Sequence, residues 1–148
     1  MLFEQQIVEV GGLRPLPRDP RVTSPTVYQC IVRYDAEAFK GVPRDHALAA
    51  LQAEGLPCFG RFYVPLPDDP LFAEDPVTNA AARAGASWKG QTFPVAARAA
   101  YQESIWLPHE LFLGGADDVH DIVACFAKLR ENAEALRQRP PQAPGGRR

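Results

Sequence analysis

Three consecutive residues, Arg61, Phe62 and Tyr63, offer a guanidinium, an aromatic face and a phenol just ahead of a long proline-rich stretch. A guanidinium and a tyrosine hydroxyl suit the oxygens of a polyhydroxylated substrate, phosphorylated or not. The end of a strand facing a long loop is also where binding residues concentrate. The competing reading puts the Tyr63 ring in the core and leaves Arg61 in water.

The other reactive side chains supply less. His46, His109 and His120 are widely separated, and no Cys, Asp or Glu pattern completes a metal site around them. There is no nucleophile elbow and no phosphate loop; Gly114-Gly115 reads as a turn before a helix. Cys30, Cys58 and Cys125 are odd in number and form no CxxC pair, so buried thiols are expected. Lys40, Lys89 and Lys128 are all expected in solvent, whereas a Schiff-base lysine must be desolvated.

The elements that must position Arg61–Tyr63 can be read from pattern. Val27–Tyr34 is rich in β-branched and aromatic residues and predicts a strand with Tyr28, Cys30, Val32 and Tyr34 on one face. Pro43 opens a helix carrying Leu48 and Leu51, and Gly55 closes it. Cys58–Tyr63 reads as a second strand. Pro65–Gly90 reads as a long loop with a helical turn at Ala80–Ala86. Pro94 opens a helix expected to turn Val95, Ala96, Ala99 and Ala100 to the core. Ile105-Trp106-Leu107 is a short strand ended by Pro108, with Trp106 expected in the core. The last helix carries Asp117 and Asp118 early, an apolar stripe of Val119, Ile122, Val123 and Phe126, and Lys128 and Arg130 late. Trp88, in the polar loop, would mark a contact surface if exposed.

These patterns predict an α/β chain of α+β type: a small mixed or antiparallel sheet with helices packed on one face. The other face is left needing a cover. Residues 1–25, with four prolines after Gly12, are expected to run as an extended lead-in; 26–137 form the domain; 138–148 form a disordered tail. With 148 residues, 46% hydrophobic, one domain can bury a sizeable core. A net charge of −2 gives no electrostatic reason to expect nucleic acid or an anionic membrane. No apolar run is long enough to span a bilayer, and a cytoplasmic setting is expected.

Taken in order, several segments resemble the C-terminal part of the DegT/StrS-type aminotransferases. They are Gly12-Leu-Arg-Pro, Tyr28–Asp35, Arg44-Asp45 with Leu51 and Glu54-Gly-Leu-Pro57, Phe62-Tyr-Val-Pro-Leu66 and Pro70-Leu-Phe72. Phe93–Ala99, Trp106-Leu-Pro108 and the helix from Asp118 through Ile122 to Lys128 continue the series. The resemblance implies a small domain like that of fold-type I pyridoxal-phosphate (PLP) aminotransferases. It further implies a keto-sugar or keto-cyclitol as substrate, as in aminoglycoside-type pathways, met partly by Arg61, Phe62 and Tyr63. Family members hold PLP on a lysine of a preceding large domain that does not match here, so no PLP is expected on this chain alone and no activity without that domain. Many members also carry histidines where Arg61 and Pro67 stand. The implied partners are a PLP-binding large domain or a full-length aminotransferase, and a sugar or cyclitol. The alternative is a non-catalytic sugar-binding module or a regulatory subunit.

Overall fold

The computed structural model describes residues 1–70, 80–85, 87 and 90–139. Its centre is a three-stranded antiparallel sheet of β1 (Leu13–Pro15), β2 (Gln29–Tyr34) and β3 (Ser104–Pro108), in that spatial order. Leu13 lies opposite Tyr34 on one side of β2; Ile105 and Leu107 lie opposite Val32 and Cys30 on the other. The period-two alternation sends Leu13, Cys30, Val32, Tyr34, Ile105 and Leu107 to one face, where all are buried.

Helices cover that inner face. They are α1 (Leu2–Val10), α2 (Arg44–Ala53) and α5 (Ala116–Glu131), followed by α6 (Ala133–Gln138). Ile122, Phe126 and Leu129 form the buried stripe of α5, and Ala47, Leu48 and Leu51 that of α2. At the start of α5 the Asp118 carboxylate accepts the Gly115 N–H at 2.7 Å. Lys128, near the other end, pairs with Glu54 at 2.6 Å and ties α5 to α2. A 3-10 turn, Ala36–Phe39, leads from β2 toward α2, and the buried Tyr34 hydroxyl donates to Val42 O at 2.8 Å. Gly12 links α1 to β1 at φ 79°, and its O accepts the Asp35 N–H. A Cβ there would lie 2.3 Å from that of Ala38, so conformation and space both require glycine.

The expectation of an extended segment over residues 1–25 is corrected. Residues 2–10 are helical because Phe3, Ile7 and Val10 recur at helical spacing, and Phe3 and Ile7 are fully buried. The Phe3 ring meets Phe112 at 5.0 Å. Cys58–Tyr63 is not a strand. Only Phe59 forms a β-bridge, to Trp106, and Arg61 at φ 43° then turns the chain out of extended conformation. Tyr28 precedes β2 and is exposed, where it was expected among the inner-face residues. Gln138, assigned to the tail, is the last residue of α6.

The Pro94 helix forms as α4 (Pro94–Arg98), continued by a π-helical turn, Ala99–Glu103. It lies against the outer sheet face, so Val95, Ala96 and Ala99 stay exposed where the core was expected to take them. The loop helix is α3 (Ala80–Arg83). Leu71, Phe72, Trp88, Lys89 and the tail beyond Arg139 lie outside the described residues. Among the described residues no helix is long and apolar enough to cross a membrane.

Burial suppresses thiol ionisation. It pushes Cys30 up to about 11 and Cys58 up to about 12; nearby Glu4 adds to the first shift and Cys125 to the second. Above about pH 9 the unfolded chain releases thiol protons that the folded chain keeps. Stability is therefore full below pH 9 and falls as pH rises toward the folded values. Urea midpoints at pH 8 and 10 should correspond to a loss of about 2 kcal/mol, and a Cys30→Ala/Cys58→Ala variant should show a much flatter profile.

Candidate functional site on the outer sheet face

The outer face is built from the residues that alternate with the core set: Ile31 and Arg33 on β2, Ser104 and Trp106 on β3. Strand parity thus places Trp106 opposite to Ile105 and Leu107, correcting its assignment to the core. Trp106 is half-buried, because the segment following Phe59 folds across it. Phe59 and Trp106 exchange backbone hydrogen bonds of 2.9 and 2.8 Å, which fix the start of that segment.

Gly60 then passes over the α2 N-terminus so closely that a Cβ would lie 2.5 Å from Arg44 Cζ. Arg61 follows in the left-handed region, unusual for a side chain this long. Phe62 stacks on the Trp106 indole with centroids 5.3 Å apart and planes 18° from parallel; Tyr63 meets the same ring edge-on at 5.7 Å. Tyr28 and Phe59 each stand 6.4 Å from Phe62, and His109 6.4 Å from Tyr28. The result is a cluster of rings open to solvent, with Tyr63 63% and Tyr28 68% exposed.

Beside the cluster runs an apolar groove of about 410 Å³. Its floor is Ile31, Ser104 and Trp106; Tyr63, Val64 and Pro65 form one wall, and Ala96, Ala99 and Ala100 the other. The small alanines keep it open. Trp106 Nε1 and Ser104 Oγ are buried here without a hydrogen-bond partner among the described residues. Glu103 at the rim accepts from Arg33 at 3.1 Å and pairs with Arg98 at 3.0 Å.

Arg44 holds the framework from beneath. Its side chain is fully buried, and its Nη1 donates to Ala100 O at 3.2 Å and Ser104 O at 2.8 Å. Nη2 donates to Tyr101 O at 2.9 Å and Nε to Asp45 at 2.8 Å. One guanidinium therefore pins the π-turn and the start of β3 to α2.

The three residues expected to bind substrate thus lie together on one uncovered surface. The competing placement of the Tyr63 ring in the core does not hold. Sequence reasoning missed Trp106, Tyr28 and Tyr101 as members of this surface. Alternation about Cys30, Val32, Ile105 and Leu107 was the available signal for Trp106; nothing local marked the other two.

No lysine among the described residues is suited to a Schiff base. Lys40 is exposed after the 3-10 turn, and Lys128 is exposed and paired with Glu54 on the helical side. His46, His109 and His120 do not converge, and no group of three potential metal-binding side chains occurs among the described residues.

The same chain finds relatives among aminocyclitol aminotransferases. It is 43% identical over 144 residues to a protein of Streptoalloteichus tenebrarius provisionally named L-glutamine:3-amino-2,3-dideoxy-scyllo-inosose aminotransferase, covering 92% of this chain and 34% of that one. A protein of the same provisional name from Micromonospora echinospora is 37% identical, covering 93% and 34%. The L-glutamine:2-deoxy-scyllo-inosose aminotransferase of Streptomyces fradiae is 34% identical, covering 83% and 30%. The chain therefore spans about a third of the length of these relatives. The crystal structure of 3-amino-5-hydroxybenzoic acid synthase shares the fold, with a TM-score of 0.62 at 19% identity, over 88% of this chain and 32% of that one. No protein-family model matches the chain.

Proposed function

From its homology to one part of the DegT/StrS-type aminocyclitol aminotransferases, we infer that this chain is the small-domain portion of a PLP-dependent enzyme acting on a keto-cyclitol or keto-sugar. Its own contribution is recognition of the substrate. The Arg61 guanidinium and the Tyr63 hydroxyl donate to ring oxygens, while Phe62, backed by Trp106, offers flat surface to the C–H face of a saturated ring and sheds water from it. Nitrogen transfer belongs to a PLP-binding portion, outside the roughly one third of the relatives' length that this chain matches. The partner that completes the site is such a portion, in the same polypeptide or another.

The observation that carries this reading is that Phe62 and Tyr63 pack over Trp106, with Arg61 beside them over Tyr101, on the one sheet face that helices α1, α2 and α5 leave uncovered. The test is reconstitution. The chain is mixed with the remaining, N-terminal two-thirds of the Streptomyces fradiae relative, PLP, glutamine and 2-deoxy-scyllo-inosose. Transamination should require both polypeptides, and Arg61→Ala should raise KM about tenfold with a smaller effect on kcat. Turnover by this chain alone would refute the division of labour. Cyclitol binding that persists without any stimulated turnover would favour a non-catalytic binding module.

A further inference from the structure

One residue outside the Arg61–Tyr63 triplet touches both ends of the segment that carries it. Tyr101 sits in the π-turn Ala99–Glu103, and its ring lies under the Arg61 guanidinium, 5.7 Å from Cζ to centroid. Its hydroxyl donates to Asp68 Oδ2 at 2.7 Å. Asp68 closes the 3-10 turn Leu66–Asp68, where its N–H donates to Pro65 O at 2.8 Å. The Tyr101 carbonyl is in turn held by the buried Arg44 guanidinium at 2.9 Å.

The segment from Phe59 to Asp68 is therefore fastened at its start by the backbone pair with Trp106 and at its end by Tyr101. Between these points Arg61 keeps a left-handed backbone, a conformation a non-glycine residue holds only when its surroundings impose it. Among the described residues, the backbone hydrogen bonds of residues 61 to 68 stay local, from Asp68 N–H to Pro65 O and from Asp69 N–H to Leu66 O. Single π-helical turns within helices are frequent at functional sites.

We propose that Tyr101 is a positioning residue for substrate recognition: its ring orients Arg61, and its hydroxyl, through Asp68, sets the reach of Phe62 and Tyr63 over Trp106. It acts through those residues and needs no contact with the substrate. The proposal rests on the reading that Arg61–Tyr63 meet a keto-cyclitol. Preorganisation is what it supplies: a loop already ordered loses less freedom when the ligand binds.

The test uses the full chain, with Tyr101→Phe to remove only the hydroxyl tie and Tyr101→Leu to remove the ring support as well. Both substitutions sit at a partly exposed ring, so melting temperatures should stay within about 2 °C of the unaltered chain. Amide order parameters of Arg61 to Val64, Leu66 and Asp68 should fall from about 0.85 toward about 0.6 in both variants. Binding of 2-deoxy-scyllo-inosose, followed by amide shifts of Arg61–Tyr63, should weaken about tenfold in Tyr101→Phe and further in Tyr101→Leu. Unchanged order parameters overturn the proposal while leaving the substrate reading intact. Loosened amides with unchanged affinity also overturn it, because the tie would then serve only the fold. If the unaltered chain shows no shift at Arg61–Tyr63 with the cyclitol, the substrate reading fails and the proposal falls with it.

Discussion

Arg44→Met is expected to lower the unfolding free energy by about 3–5 kcal/mol, a large share of what a domain of this size possesses. The substitution keeps much of the side-chain volume. It removes the donors to the carbonyls of Ala100, Tyr101 and Ser104, which Arg44 alone joins to α2 through one guanidinium among the hydrogen bonds of the described residues. Charge-assisted bonds of this kind contribute about 1.5–3 kcal/mol each, less where water reaches the acceptor. Arg44→Lys should recover little, because an ammonium lacks the planar fork that reaches three carbonyls at once. Gly60→Ala should cost stability for a linked reason, since its Cβ would fall 2.5 Å from the Arg44 guanidinium and 2.6 Å from Leu48 Cδ1. In the Arg44→Met background that penalty should shrink, giving a coupling of about 0.5–3 kcal/mol in a urea-denaturation double-mutant cycle. Strictly additive effects would mean that Gly60 and Arg44 do not press on one another.

The second large effect is expected at the first helix. Phe3→Ala should destabilise by about 3–5 kcal/mol, and Ile7→Ala by about 2–5 kcal/mol. Both side chains are fully buried against the sheet and α5, and Phe3 also loses its ring contact with Phe112. Val8→Ala, on the exposed side of the same helix, should stay within about 0.5 kcal/mol. Equal, small effects at Phe3 and Val8 would mean that α1 is a lead-in that does not dock. A steep difference would make residues 2–10 part of the folding unit that presents the outer face.

Both predictions concern features that local pattern did not reveal, and the reasons differ. The extended reading of residues 1–25 came from the prolines after Gly12, whose effect does not reach back to residues 2–10. Phe3, Ile7 and Val10 carried a helical period, but nine residues make a marginal helix in isolation, and packing on α5 stabilises it. For Arg44, sequence offered an ordinary helix-start residue beside Asp45. Its burial depends on Ala100, Tyr101 and Ser104, more than fifty positions away.

By itself the sequence determined much of the frame. The β-branched run of β2, the apolar stripes of α2 and α5 and the proline-closed β3 each follow from local period and capping chemistry, which act within a few residues. It also determined the chemical character of Arg61, Phe62 and Tyr63 as donors and aromatic surface. Only the tertiary structure decided where those groups stand. A left-handed Arg61 replaces the expected strand, Trp106 turns outward to carry Phe62 and Tyr63, and Tyr101 reaches back to Arg61 and Asp68. The physical reason is range: propensity and periodicity are summed over neighbours along the chain, whereas ring stacking, charge-assisted hydrogen bonds and close backbone packing act between residues that the fold alone brings within a few ångströms.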